Sequence, residues 1–142
     1  MDAPSLAELI TAFRSCTLPR DQWTHTAHLR VGAWHVHHLG AEAALGELRS
    51  RIRRLNDHHG TPNSATSGYH ETITIAYVRL IGGFLSAFPP EVALERRVEA
   101  LIDGPLGERS FLLRFWSRER LMCAQARAEW IPPDLAPLGS PP

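Results

Sequence analysis

Apolar residues recur every three or four positions along most of this chain, with polar residues between them. This spacing predicts amphipathic α-helices, because it gathers the apolar side chains on one helical face. The first such segment opens with Ser5-Leu6-Ala7-Glu8, which has the form of an N-terminal capping box. We find no convincing alternation of apolar and polar residues of the kind that predicts strands. The pattern therefore predicts an all-α protein.

Turn-forming residues divide this pattern into separate helices. We expect the second helix to begin with Asp21 as its N-cap and to end near Leu39, with Gly40 as its C-terminal stop. The polar, turn-rich stretch of residues 58–68 is predicted to be a loop. Further helices or helical turns are expected over residues 41–57, 69–88, 91–101, 108–115 and 118–130.

The end of the chain differs in composition from the rest. Five of the eleven prolines lie in residues 131–142, and proline cannot continue a regular helix. Residues 1–130 are long enough to bury a core of their own, since a domain of this size hides about two thirds of its unfolded surface. We therefore expect a single-domain bundle of about five to seven helices over residues 1–130, followed by an irregular, proline-rich tail.

Composition excludes several partners and kinds of chemistry. The formal net charge is zero, so no global field favours nucleic acid or an anionic membrane. All fifteen basic residues are arginine, which removes lysine from the candidate catalytic groups. Cys16 and Cys123 lack the spacing of a metal or redox motif and are interpreted as reduced thiols. With no apolar run of about 18 residues and no signal-peptide core, the chain is expected to be cytoplasmic.

Two other features have a structural interpretation. Arg49, Arg51, Arg53 and Arg54 form a basic run, which we interpret as a solvated helix face. The Gly82-Gly83 pair within a helix and the four tryptophans are compatible with a homodimer.

The candidate chemistry begins with two histidines in the second predicted helix. His25 and His28 are three residues apart and so lie on one helical face. Neutral imidazole is the commonest protein ligand for transition metals. Asp21 lies four residues before His25, where it could accept a hydrogen bond from the imidazole nitrogen that does not bind the metal.

A second segment, Gly68-Tyr69-His70-Glu71-Thr72-Ile73-Thr74, supplies the remaining candidates. His70 is the predicted third metal ligand, and Glu71 is either a fourth ligand or a general base acting on metal-bound water. Tyr69 offers a phenol beside them. Three protein ligands with an open position are typical of catalytic zinc, although imidazole alone does not separate zinc from iron or copper. Candidates for hydrogen bonds within the site or to a substrate are Asn56, Asn63 and Thr74.

The two histidine-bearing segments, together with parts of the loop and of the C-terminal region, resemble the signature of a protein family. It is a family of small, largely uncharacterised bacterial helical proteins. The resemblance implies that His25, His28 and His70 belong to a shared pattern, and it supplies neither an activity nor a substrate. The matching positions are residues 23–29, Asn56, Gly60, Pro62, Asn63 and residues 68–74, 117–121 and 130–135.

Two hypotheses follow from these residues. In the first, the chain is a mononuclear metalloenzyme in which His25, His28 and His70 hold a divalent zinc, iron or copper ion and Glu71 assists. The ion would activate water or dioxygen, or polarise a small-molecule substrate. In the second, the chain is a metal-free module in which the histidines and Glu71 form a buried hydrogen-bond network, and the helices bind a small molecule or a protein.

Overall fold

The computed structural model describes residues 4–139 and contains seven α-helices within that range, with no β-strand there. Three short 3-10 helices, Arg20–Gln22, Pro105–Gly107 and Phe111–Arg114, connect them. The α-helices are α1 (Leu6–Arg14), α2 (His25–Leu39), α3 (Ala41–His59), α4 (Glu71–Ser86), α5 (Leu94–Asp103), α6 (Arg118–Leu121) and α7 (Ala124–Ala128). The all-α helical bundle predicted from periodicity is therefore confirmed.

The centre of the bundle is α2, which packs against α1, α3, α4 and α5. Two small buried residues of α2, Gly32 and Ala33, allow this close packing. A Cβ on Gly32 would lie only 3.1 Å from Cδ1 of Ile81 on α4. This close approach packs the middle of α2 against α4, and the start of α2 also contacts α4 through His25 and Tyr77. None of the helices in the described part of the chain is long and apolar enough to cross a membrane.

The capping box of α1 is present as predicted, since the Ser5 side chain accepts a hydrogen bond from the Glu8 backbone and the Glu8 side chain accepts one from the Ser5 backbone. The predicted start of α2 is wrong. Thr24 is the N-cap, with its side chain accepting from the Ala27 backbone, whereas Asp21 lies in the 3-10 helix before it. A threonine one residue before the helix satisfies a free backbone N–H that a more distant Asp21 cannot reach.

The last predicted helix, over residues 118–130, is divided into α6 and α7. Ser117 caps α6, and Cys123 caps α7 through its sulfur, which accepts from the Ala126 backbone. Because Cys123 acts as a second N-cap inside the predicted helix, a separate helix begins after it.

Residues after α7 pack against the bundle through specific hydrogen bonds. The buried Trp116 donates from Nε1 to the Ile131 carbonyl over 3.1 Å. The buried Thr72 hydroxyl donates to the Glu129 carbonyl at 2.7 Å and accepts from the Ile131 N–H at 3.2 Å. No regular helix occurs in residues 131–139, and residues 140–142 of the predicted tail lie outside the described range.

Candidate functional site

A cavity of about 900 Å³ opens between α2, α4 and the segment that leads to α6. Its walls are mostly apolar, with Leu29, Ile73 and Ile81 among them. Polar groups line it as well, namely His25, His28, Thr74, Tyr77, Arg109 and Arg118. This combination of apolar walls and a few polar groups is typical of small-molecule sites.

His25 lies at the first position of α2 and is half-buried. Its Nε2 donates a hydrogen bond to the Leu106 carbonyl over 3.0 Å, so the proton of a neutral ring is on Nε2. The ring packs edge-on against Tyr77 of α4, with the ring centres 5.6 Å apart. The hydrogen bond leaves Nδ1 of His25 without a partner among residues 4–139.

His28 lies one turn later, stacked on Trp23 with ring centres 3.6 Å apart. Its Nδ1 donates to the Thr24 carbonyl at 2.7 Å, and Nε2 has no partner within the described part of the chain. Although the side chain is exposed towards the cavity, desolvation by the surrounding protein lowers its pKa to about 4, and the nearby Arg109 acts in the same direction. His28 is therefore neutral at pH 7, with Nε2 as a hydrogen-bond acceptor.

His70 does not join these two histidines. It is the N-cap of α4, and its Nδ1 accepts from the Ile73 backbone over 3.2 Å. Its Nε2 donates to the buried Leu121 carbonyl at 2.6 Å. Only 7% of the residue is exposed, and this burial lowers its pKa. Because both ring nitrogens are hydrogen-bonded within the fold, His70 has no lone pair free for a metal.

Glu71 and Tyr69 form a separate cluster outside the cavity. Arg49 binds Glu71 through two hydrogen bonds, Nε to Oε1 at 3.0 Å and Nη2 to Oε2 at 2.7 Å. The Tyr69 hydroxyl donates to the same carboxylate over 2.6 Å, and the Arg53 guanidinium stacks over the Tyr69 ring. Burial raises the pKa of Glu71, but the hydrogen bonds from Arg49 and Tyr69 outweigh it and the pKa is lowered. Part of the basic run is thus paired rather than simply solvated.

The predicted substrate-binding asparagines organise the loop instead. Asn56 donates to Oδ1 of Asn63 at 3.0 Å, and the Tyr69 backbone donates to the same oxygen at 3.0 Å. Gly68 has φ +80°, and a Cβ there would lie 2.5 Å from the Pro62 carbonyl oxygen, so only glycine fits. The loop therefore holds the start of α4 in place.

Thr74 lines the cavity, although its hydroxyl donates to the His70 carbonyl one turn earlier. Asp21, the predicted partner of His25, is exposed and makes no side-chain hydrogen bond within residues 4–139. Nε2 of His25 donates to the Leu106 carbonyl instead.

The predicted three-histidine site is accordingly not assembled. In residues 4–139, no group of three or more His, Cys, Asp or Glu side chains is placed to hold a metal ion. The structure brings His25 and His28 to one cavity, as their spacing predicts, and places His70 and Glu71 elsewhere. Helical spacing determines which residues share a face, whereas the Ile73 N–H at the start of α4 and the Leu121 carbonyl of α6 determine what the nitrogens of His70 bind.

Three cavity residues were missed by the sequence analysis. Arg109 and Arg118 come from the region of 3-10 turns and short helices, far along the chain from α2, and no catalytic or binding motif marks them. Tyr77 lies within the helix predicted over residues 69–88, and the signal that could have identified it is its position three residues after the candidate Thr74, on the same helical face.

No protein-family model, curated protein or solved structure matches this chain. The resemblance to a bacterial family thus stays a prediction, and the site must be interpreted from its own chemistry.

Proposed function

We propose that this protein binds a small organic molecule, without a metal, in the cavity between α2 and α4. The observation that carries the proposal is a cavity of about 900 Å³ in which polar groups without protein partners face apolar walls. Nε2 of His28 and the hydroxyl of Tyr77 make no hydrogen bond with residues 4–139. Unpaired polar groups at the edge of an apolar cavity favour a ligand that satisfies them.

A cavity-filling variant tests this proposal. Thr26 is exposed on α2, lines the cavity and makes no side-chain hydrogen bond with residues 4–139, so Thr26→Trp adds bulk to the cavity without removing a contact. Glu99→Trp on the exposed side of α5 is the matched control. Ligand-observed NMR against a panel of neutral and anionic aromatic compounds should find binders of the wild type and of Glu99→Trp that Thr26→Trp does not bind. Equal binding by Thr26→Trp, or no binder in the panel, would refute the proposal.

The metalloenzyme hypothesis has less support from the geometry. A metal held by His25, His28 and His70 would require His70 to give up its cap of α4 or its bond to the Leu121 carbonyl. Glu71 would also have to leave its paired hydrogen bonds with Arg49. Elemental analysis of untagged protein tests this alternative: one equivalent of zinc, iron or copper that is lost in His28→Ala would favour the metalloenzyme.

Two further predictions also stay open. Homodimer formation is tested by sedimentation equilibrium, and the large apolar side chains exposed in the described range are Leu39, Met122 and Leu135. A cytoplasmic location is tested by fractionating cells that express the protein.

A further inference from the structure

The charged groups of the cavity are all of one sign. Arg109 and Arg118 line it, and no Asp or Glu among residues 4–139 does. Neither guanidinium makes a hydrogen bond or an ion pair with any residue in 4–139. Some arginines outside the cavity do pair with carboxylates, for example Arg49 with Glu71 and Arg51 with Glu47. The cavity is therefore lined by two exposed cations that have no counter-ion among residues 4–139.

Arg109 lies close to the histidines of the cavity. Its charge is among those that lower the pKa of His28, after the larger effect of desolvation. The turn just before Arg109 is tightly fixed, because a Cβ on Gly107 would collide with the Ile102 carbonyl oxygen. Leu106, in the same turn, accepts the hydrogen bond from His25. The chain is thus held against α2 just before Arg109.

Arg118 is positioned by a different part of the chain. It is the first residue of α6, directly after Ser117, whose backbone N–H and hydroxyl both donate to the Asp134 carboxylate over 2.7 Å. The backbone that carries Arg118 is therefore held by side-chain contacts, while its own guanidinium has no partner in the described range.

Tyr77 adds a neutral donor to the same cavity. Burial raises the pKa of its hydroxyl to about 12, so the group keeps its proton at neutral pH and can donate. An anion is an acceptor only, and it would accept hydrogen bonds from both guanidinium groups and from a phenol.

We propose that the ligand of this cavity is an organic anion, with a carboxylate or phosphate headgroup bound by Arg109 and Arg118 and an aromatic or branched apolar body against the walls formed by α2 and α4. This inference rests on the proposed function, because it names the class of molecule that the cavity binds. A neutral ligand would leave both guanidinium groups without a counter-charge, and a cationic one would be repelled by them.

Matched probes test the headgroup. Isothermal titration calorimetry compares 2-naphthylacetate, the isosteric neutral 2-naphthylacetamide and 2-naphthyl phosphate on the wild-type chain. We expect the carboxylate to bind about tenfold more tightly than the amide, as a charge-assisted hydrogen bond predicts. The preference should shrink as NaCl is raised from low to high concentration, because salt screens exposed charges. A phosphate that binds more tightly than the carboxylate assigns the headgroup to phosphate, and the reverse assigns it to carboxylate.

Arginine variants locate the anion. Arg109→Gln and Arg118→Gln should each weaken binding of the anionic probe about tenfold and leave the amide unchanged. Arg96→Gln, at an exposed position of α5 outside the cavity, should change neither, and circular dichroism verifies that all three variants are folded. The anion inference is overturned if the amide binds as tightly as the acid, or if neither cavity arginine affects the acid.

The two proposals fail in different ways. Equal binding of acid and amide, abolished by Thr26→Trp, would refute the anionic headgroup and support the cavity. Binding of the acid that Thr26→Trp does not weaken would place the ligand elsewhere and refute both, as would the failure of all three probes to bind.

Discussion

Removing the His70 side chain should destabilise the fold by an amount set by its two hydrogen bonds. In His70→Ala, α4 loses its N-cap, which stabilises a helix by about 1 kcal/mol. The Leu121 carbonyl, which accepts from Nε2 at 2.6 Å, would be left buried without a donor, at a cost of about 1–3 kcal/mol. We therefore expect the free energy of unfolding to fall by about 2–4 kcal/mol. In His70→Asn the shorter side chain can still cap the helix but cannot reach Leu121, so about 1 kcal/mol should be recovered.

Urea unfolding followed by circular dichroism measures these differences as shifts of the midpoint at constant slope. His58→Ala is the control, because His58 is exposed and its ring makes no hydrogen bond within the described residues; its effect should stay within about 0.5 kcal/mol. The reasoning would be refuted by a His70→Ala variant as stable as the control, or by one no less stable than His70→Asn.

Three further predictions concern stability. Thr72→Val keeps the shape of a fully buried side chain but leaves two backbone groups near Ile131 unpaired, so urea unfolding should show a loss of about 2–4 kcal/mol; a loss below about 0.5 kcal/mol would contradict the bonding. Gly68→Ala should lower the free energy of unfolding by about 1–3 kcal/mol, because Gly68 has a positive φ and its Cβ position is blocked. Gly46→Ala, in the open interior of α3, should instead raise it by about 0.5–1 kcal/mol. Changes of the same sign for both variants in urea unfolding would refute this. Stability should also fall as the pH drops from 6.5 towards 4, because the folded state lowers the pKa of His28 to about 4 and lowers that of His70 as well, so the unfolded chain binds protons first. His28→Asn should reduce the slope between pH 6.5 and 5 in pH-dependent unfolding, and an unchanged slope would count against the lowered pKa of His28.

Helices were predictable from the sequence because their signals are local. The apolar stripe of α1 and its capping box involve residues within four positions of each other, and both are present in the structure. The errors lie at boundaries where two caps compete. Thr24 rather than Asp21 starts α2, and Cys123 interrupts what periodicity alone predicts to be one helix.

The candidate site was predictable only as far as it is local. Helical spacing correctly places His25 and His28 in one cavity. It could not reveal that the Leu121 carbonyl, 51 residues away along the chain, binds His70, or that Arg49 pairs with Glu71 from another helix. Arg109 and Arg118 lie in segments predicted to be helical, residues 108–115 and 118–130, but the local pattern does not indicate that these segments pack beside α2 and α4. Whether both ring nitrogens of a histidine are used by the fold therefore depends on tertiary hydrogen bonds, which the local sequence does not reveal.

That distinction also determines what a metal could do in this protein. The hydrogen bonds of His25 and His28 to backbone carbonyls fix one nitrogen of each ring and leave the other with a lone pair, which is the state in which imidazole binds a metal. His70 is different, since releasing it would require the loss of stability that His70→Ala measures. Any metal bound by His25 and His28 would therefore take its remaining ligands from groups other than His70 and Glu71 at the start of α4. Any Zn²⁺ affinity that titration detects in the wild type should be the same in folded His70→Ala, and a loss of affinity in that variant would restore the three-histidine site.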